Sequence, residues 1–139
     1  LRLNEYSLMQ DGFGVGTHLS AASVVKEYEA LADGTVGHVE NQRAEYLAGG
    51  VEGGSCGTRS STRIMRAGSA LWEDIAPIGH FRLNAGDRIR VQIASGGGYG
   101  DPAGRSREAV ARDLREERIS AGFAKSHFGY VDDTLGGRG

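Results

Sequence analysis

The sequence predicts a mainly β chain that ends in two short helices, an α+β fold. Three observations support this prediction. Apolar and polar residues alternate from Arg88 to Ile93, which is the pattern of a half-buried antiparallel strand. Turn residues separate segments rich in β-branched and aromatic side chains, and serine residues precede two helical segments near the C-terminus. We therefore expect antiparallel hairpins followed by helices, in a single domain over residues 1–139.

Two hairpins are predicted. Residues 17–32 and 35–39 are the strands of the first, joined by the two-residue turn Asp33-Gly34. Residues 84–87 form the turn of the second, whose outgoing strand is the alternating segment that begins at Arg88. Both pairs are expected to be antiparallel.

Two helices follow. Ser106 is the predicted N-cap of a helix that runs to about Arg118, with Glu108 in its first turn, where the helix dipole favours an acid. Ser120 caps a second, shorter helix, and Gly129 suits a left-handed C-cap. The predicted domain thus divides into an extended arm at 1–11, a β-rich part at 12–95 with a glycine-rich extended segment at 48–61, a turn and helical tail at 96–131, and a frayed tail at 132–139.

The composition indicates a thin hydrophobic core. Only 39% of the residues are hydrophobic, whereas 23 of the 139 are glycine, more than twice the usual share of about 7%. Glycine loses more backbone freedom on folding than any other residue, so such a chain is difficult to stabilise by itself. We therefore expect it to dock on a larger partner subunit.

Charge and cysteine content argue against several function classes. The formal net charge is −2, so the chain has no overall positive electrostatic potential that would attract nucleic acid or an anionic membrane. Cys56 is the only cysteine, so no internal disulfide forms, and no apolar run approaches the ~20 residues of a membrane span. We expect a cytoplasmic protein that binds neither nucleic acid nor membrane.

One tract invites comparison with phosphate-binding loops. It consists of Gly96, Gly97, Gly98, Tyr99, Gly100, Asp101 and Pro102. The tract lacks the Lys-Ser/Thr pair of a P-loop, and the dinucleotide-binding spacing requires glycine where Asp101 stands. We interpret it as a structural turn in which glycine permits close backbone approach, Asp101 accepts hydrogen bonds and Pro102 stops the strand.

We expect no catalytic residue, bound cofactor or metal in this chain. Residues 53–57 match the G-x-S-x-G pattern but lack the flanking strand and helix of a nucleophile elbow. The histidines have no metal-ligand spacing, although a ligand shared with a neighbouring subunit stays open. If the chain did carry a catalytic group, the candidates are His80, Asp101 and Cys56. The basic residues Arg59, Arg63 and Arg66 are interpreted as a solvated strand edge, and contact with an acidic partner face or a nucleotide phosphate is the alternative.

Several motifs follow one another in an order that resembles one family. They are residues 14–31, 41–43, 48–53, 84–91, 96–102, 108–110 and 128–131. Together they resemble the C-terminal end of the hydantoinase B/oxoprolinase family over nearly the whole chain. Family members usually have a proline-containing stretch after the arginine that corresponds to Arg43, whereas residues 44–47 here contain none. We therefore carry over no active-site contact from that stretch.

The resemblance implies a role inside a larger assembly. In single-chain members this segment ends a much longer subunit, so a separate chain resembles the small (gamma) subunit of acetophenone carboxylase-like enzymes. The implied partners are a larger hydantoinase B-like subunit and hydantoinase A-like ATP-binding subunits, and ATP, a divalent cation and bicarbonate are implied for the complex. Such complexes phosphorylate an enol or amide oxygen before carboxylation or hydrolysis.

The resemblance favours a structural and assembly subunit of an ATP-dependent ketone carboxylase. A subunit of an ATP-dependent hydantoinase or 5-oxoprolinase-type lactam hydrolase is the first alternative. A binding module without an associated enzyme is the second.

Overall fold

The computed structural model describes residues 1–131, so the predicted frayed tail at 132–139 lies outside the described residues. The chain forms two compact units. Unit 1 contains Leu1–Ser7, Ser23–Leu47 and Arg59–Ala94, and unit 2 contains Leu8–Ala22, Ala48–Thr58 and the residues from Ser95 onward. The chain therefore alternates between the units along its sequence.

Residues 1–131 contain seven β-strands, which lie in unit 1 apart from the last residue of the first strand. They are β1 (Arg2–Leu8), β2 (Val24–Glu29), β3 (Thr35–Glu40), β4 (Ser61–Met65), β5 (Glu73–Asp74), β6 (Ile78–Leu83) and β7 (Arg88–Ile93). Five of these described strands form one sheet in the order β1-β2-β7-β4-β5, and β3 and β6 form a second. The predicted mainly β fold is confirmed, and β1 lies within the segment predicted as an extended arm.

Both predicted hairpins are wrong in their pairing. β2 does not pair with the strand that follows it but lies antiparallel to β7, while β3 lies antiparallel to β6. The four strands thus form one long two-stranded ribbon, in which β2 and β3 run opposite to β6 and β7. Five residues, 30–34, face four residues, 84–87, where the ribbon passes from one sheet to the other. This extra residue is a bulge that shifts the register by one.

Long-range hydrogen bonds explain why the turn residues form a corner instead of two hairpins. The backbone N–H of Ala30 donates to Asp87 O at 2.9 Å, and the N–H of Gly86 donates to Ala30 O at 2.8 Å. The carboxylate of Asp33 accepts a hydrogen bond from the Ala85 N–H at 2.9 Å. The chain segment between β2 and β3 is therefore hydrogen-bonded to the segment between β6 and β7. Asp33 and Ala85, for example, are 52 positions apart in the sequence.

The alternation predicted for β7 is confirmed at Ile89 and Val91, which belong to the apolar core, whereas Ile93 at the end of the strand is 45% exposed. Ile89 is buried, with Tyr28 of β2 and Ile64 of β4 directly opposite it on the same face of the sheet. The other face carries Arg90, which pairs with Glu27 at 3.2 Å. One face therefore supplies the apolar core of unit 1 and the other a row of ion pairs.

Unit 2 contains the helices of the described chain, α1 (Arg107–Arg115) and α2 (Ala121–Phe128), preceded by a 3-10 turn at Pro102–Gly104. Both predicted N-caps are confirmed: the hydroxyl of Ser106 accepts from Ala109 N–H, and that of Ser120 from Phe123 N–H. Gly129 adopts the predicted left-handed conformation, with φ of 59°. Within residues 1–131, neither helix has the length and apolar character needed to cross a membrane.

The core of unit 2 is small and is completed by a buried ion-pair cluster. Phe13, Val110, Ile119 and Ala124 form its buried apolar cluster. Asp113 of α1 is fully buried and accepts hydrogen bonds from Arg105 at 2.5 Å and Arg118 at 2.9 Å. The predicted thin core is visible here, because few large apolar side chains are enclosed.

Asp87 holds the corner of the ribbon in unit 1. Its carboxylate accepts hydrogen bonds from the backbone N–H groups of Asn84 at 3.0 Å and Ala67 at 2.9 Å, and from the Arg66 guanidinium at 2.8 Å. These donors outweigh the opposing effect of burial and lower the pKa of Asp87 below its ordinary value of 3.8. The ionised carboxylate is therefore the form that the fold stabilises.

We expect unit 1 to lose stability in acid because of Asp87. A carboxyl group whose pKa is lower in the folded state stabilises the protein fully at pH values above its unfolded-state pKa. This contribution is lost as the pH falls through the folded-state pKa. The free energy of unfolding should therefore decline from about pH 5 downwards. The Asp87→Asn variant should be less stable at pH 7 and should lose less on acidification. Denaturant unfolding between pH 3 and pH 7, followed by Trp72 fluorescence, measures both quantities.

Asp74→Asn is the matched control, because the Asp74 side chain is 75% exposed and has a single salt bridge with Arg63. Its free energy of unfolding should fall between pH 7 and pH 3 by as much as that of the wild type. If this fall were equally small in Asp74→Asn and Asp87→Asn, the role given to Asp87 would be contradicted.

Candidate functional site

Three glycine-rich segments of unit 2 lie directly against one another. We call them the first segment (12–20), the second segment (48–57) and the third segment (95–101). The first and third exchange backbone hydrogen bonds between His18 and Tyr99 at 3.0 and 3.1 Å. The second bonds to the first from Ser55 N–H to Val15 O at 2.7 Å, and to the third from Val51 N–H to Gly98 O at 3.0 Å. All three segments are therefore joined through their backbones.

Glycine is required where these segments meet because a side chain would not fit. A Cβ atom on Gly97 would lie 1.9 Å from Gly49 O, and one on Gly98 would lie 2.1 Å from Val15 O. A Cβ atom on Gly54 would lie 2.1 Å from Gly98 O. These distances are far below van der Waals contact, so the glycines allow the backbones to approach.

The tract from Gly96 to Pro102 differs from its predicted form. No turn occurs at Gly96 to Gly98, which contact the other two segments; the backbone instead bends at Gly100, whose φ is +80°. Asp101 does accept a local hydrogen bond, from Ala103 N–H at 2.8 Å, and so caps the 3-10 turn that begins at Pro102. Close packing between segments, and not a sharp reversal, is the reason for Gly97 and Gly98.

The backbone of the third segment is poorly arranged to hold a phosphate. The N–H groups of Gly98, Tyr99 and Gly100 donate to the carbonyl oxygens of Ser55, His18 and Val51, respectively. A phosphate cradle needs such groups directed at the ligand. Here they are used to join the segments.

The three candidate catalytic residues occupy unrelated local settings. His80 is exposed on β6 in unit 1, whereas Cys56 and Asp101 are exposed in unit 2. The Ser55 hydroxyl, which the G-x-S-x-G pattern would make a nucleophile, accepts a hydrogen bond from Val15 N–H at 2.8 Å and donates to Cys56 O at 3.0 Å. This hydroxyl is therefore a structural contact between two segments.

The structure brings together two histidines whose proximity was missed from the sequence. His38 of β3 lies directly opposite His80 of β6, and their ring centres are 4.7 Å apart. The predicted hairpins gave β3 a different partner, which concealed this proximity. Within residues 1–131, no group of three or more His, Cys, Asp or Glu side chains is arranged to hold a metal ion.

The three arginines interpreted as a solvated strand edge are exposed, as predicted, but each has a defined partner. Arg63 pairs with Asp74 at 2.8 Å, Arg66 pairs with Asp87, and Arg59 donates to the carbonyl oxygen of Ala44 at 3.1 Å. β4, which carries Arg63, is not an edge strand because it lies between β7 and β5. The edge interpretation is therefore wrong, since the sequence did not reveal β5.

Unit 1 contains an open cavity of about 340 Å³ with a mixed lining. Its apolar lining includes Tyr28, Phe81 and Ile89, and its polar lining consists of His38, Glu40, Asn41 and Thr62. Two of these polar groups satisfy each other, because Asn41 Nδ2 donates to Thr62 Oγ1 at 2.7 Å.

We expect Gly98→Ala to destabilise unit 2, because its new methyl group overlaps the Val15 carbonyl oxygen. Overpacking of this kind costs about 1–3 kcal/mol, and more where backbone has to move. Thermal unfolding followed by circular dichroism at 222 nm reports on unit 2, which holds the described α-helices. Gly49→Ala is the matched control, because a Cβ atom there has nothing within 4 Å. Equal melting temperatures for the two variants would show that close approach is not the constraint.

Comparisons with known proteins agree with this architecture. The family model described as Hydantoinase B/oxoprolinase matches residues 1–102. An uncharacterized protein of Methanocaldococcus jannaschii is 26% identical over 116 residues, which are 84% of this chain and 20% of that protein.

Two solved structures are similar. The ATP-dependent caprolactamase from Pseudomonas jessenii superimposes with a TM-score of 0.79 and 25% identity, over 94% of this chain and 23% of the caprolactamase chain. The nucleotide-free structure of acetone carboxylase superimposes with a TM-score of 0.76 over 93% of this chain and 21% of that chain; at 15% identity it shows the fold alone.

The chain spans about a fifth of the length of these relatives. The family match covers 102 of the 139 residues and includes all three glycine-rich segments and all seven described β-strands. It confirms the resemblance found in the sequence: this chain belongs to the hydantoinase B/oxoprolinase family.

Proposed function

We propose that this chain is a structural part of a larger ATP-dependent enzyme of the hydantoinase B type, in which it supports assembly and performs little chemistry itself. The observation that carries this proposal is the exposure of apolar side chains along the edge strand β1. Leu1, Leu3 and Tyr6 are 65%, 52% and 68% exposed. Leu3 and Tyr6 are three positions apart in β1 and point to opposite faces of the sheet, so the exposed apolar side chains flank the outer edge of the strand on both sides. We call these three residues the β1 surface.

The β1 surface is suited to contact with another protein. Large apolar side chains grouped on an exposed edge strand favour association, which folded chains otherwise avoid with charges or proline. About four-fifths of each similar protein's chain lies outside the part that this chain matches. We propose that a larger hydantoinase B-like subunit covers the β1 surface, with hydantoinase A-like ATP-binding subunits completing the assembly in the cytoplasm.

Two arguments support a structural role for this chain. The third segment uses the N–H groups of Gly98, Tyr99 and Gly100 within unit 2, so they are not available to cradle a nucleotide phosphate. The G-x-S-x-G serine is likewise occupied by backbone contacts. ATP, its divalent cation and bicarbonate would accordingly be bound by the partner subunits.

The first candidate for the reaction of the assembly is carboxylation of a ketone. Its specific form would be an acetophenone carboxylase-type enzyme in which this chain is the small gamma subunit. The carboxylase class rests on the resemblance to acetophenone carboxylase-like enzymes found in the sequence, because the match to acetone carboxylase shows the fold alone. An ATP-dependent lactam hydrolase is the second candidate, favoured by the higher identity to caprolactamase, 25% against 15%. In both, phosphorylation of an enol or amide oxygen would precede the bond-forming or bond-breaking step.

We expect the chain to co-purify with large hydantoinase A- and B-like subunits, at a native mass well above its own 14.7 kDa. Leu3→Glu combined with Tyr6→Glu should reduce recovery of those subunits at least about tenfold, a loss of about 1.4 kcal/mol in binding. Native mass spectrometry and peptide identification measure both effects.

Val36→Glu is the matched control, since Val36 is 65% exposed on β3, outside the β1 surface. It should leave recovery unchanged. A wild-type chain that is monomeric and cooperatively folded and has no large partner would refute the assembly role and favour a free-standing binding module.

We expect the three candidate catalytic residues to be dispensable. His80→Ala, Cys56→Ala and Asp101→Asn, measured in the intact assembly, should keep kcat within about twofold for ketone carboxylation or lactam hydrolysis, because ordinary surface changes have small effects. Asparagine at 101 retains the oxygen that caps the 3-10 turn. A tenfold fall in kcat with normal assembly, about 1.4 kcal/mol in activation energy, would place chemistry in this chain.

A further inference from the structure

His38 and His80 form a cross-strand pair in unit 1. They are directly opposite in the β3–β6 register, and both side chains are exposed. Their ring centres are 4.7 Å apart and the ring planes are tilted by 52°. Side chains directly opposite each other on one face of an antiparallel pair are held close together by the backbone. The backbone of the two strands therefore positions both rings before any ligand arrives.

The separation of the rings suits two nitrogen ligands on one metal ion. A metal–nitrogen bond of about 2.0–2.1 Å places each ring centre about 3.2 Å from the metal, and a tetrahedral angle then separates the two ring centres by roughly 5 Å. The observed separation of 4.7 Å is close to this value. Binding of one metal ion would require each ring to direct one nitrogen at a common point.

The surroundings leave room for further ligands on the metal. Neighbours on the same exposed face include Glu40, two residues after His38, and Arg82, two residues after His80. The Glu40 carboxylate accepts a hydrogen bond from Gln42 Nε2 at 3.2 Å and is not gathered with the imidazoles. Water molecules would therefore occupy the remaining coordination positions.

We propose that His38 and His80 together bind a divalent transition-metal ion through one nitrogen each. Neutral imidazole suits Zn²⁺, Ni²⁺ and Cu²⁺, whereas Mg²⁺ and Ca²⁺ require oxygen ligands. The metal would link β3 to β6 and stabilise unit 1, because binding to the folded state alone shifts the unfolding equilibrium. This site is independent of the assembly role proposed above and of the ATP-associated cation.

The test uses the full chain in the assembly with which it purifies, stripped of metal by dialysis and then titrated with Zn²⁺. Metal analysis should find one more Zn²⁺ per chain in the wild type than in the variant carrying both His38→Phe and His80→Phe. Phenylalanine keeps two aromatic rings across the strands but has no ligating nitrogen. Each single substitution should lower the Zn²⁺ affinity of that site at least about tenfold. Loss of residues that only hydrogen-bond to a metal ligand already lowers metal affinity by about this factor.

Footprinting with diethylpyrocarbonate identifies the histidines involved. Zn²⁺ should protect His38 and His80 from modification while His18 and His127 remain reactive, and Mg²⁺ should protect none of the four. Equal Zn²⁺ stoichiometry in the wild type and the double variant would overturn the proposal, as would the absence of Zn²⁺ binding by the wild type. His18→Ala serves as the control substitution and should leave stoichiometry unchanged.

Discussion

Backbone contact among the three glycine-rich segments is the constraint on which unit 2 depends. The second and third segments each come within hydrogen-bonding distance of the first, and positions such as Gly97 and Gly98 have no space for a single additional carbon. Cohesion therefore comes from backbone hydrogen bonds and close packing more than from large buried side chains. The unusual glycine content and the small apolar core are two aspects of one arrangement, because side chains cannot fill a space that three backbones already occupy.

The corresponding constraint in unit 1 is the long ribbon formed by β2 and β3 against β6 and β7. Its bulged corner, held by Ala30 and Asp87, lets the same pair of chain segments contribute to both sheets. The corner also determines which residues face each other further along, since a change of one position in register would move every side chain to the opposite face. The approach of His38 to His80 is a consequence of that register.

The conspicuous motifs serve architecture: the tract at 96–102 joins segments, Ser55 connects two of them, and Asp113 organises the start and end of α1 through two arginines. A family member that spans about a fifth of its relatives, with apolar residues exposed along β1, is consistent with our proposal of a part that works within a larger enzyme. Its glycine-rich motifs are then explained by packing, without a ligand.

The sequence by itself determined the features whose physical causes are local. The alternation in β7, the serine caps of both helices and the left-handed Gly129 depend on residues a few positions apart, and each was predicted correctly. Only the tertiary structure decided which strands pair, why the glycines are consecutive and which histidines meet. Asp33-Gly34 suits a hairpin turn, but bonds to residues some fifty positions away made it part of a corner. Such long-range hydrogen bonds and backbone clashes exist only once distant segments are brought together, so no local pattern encodes them.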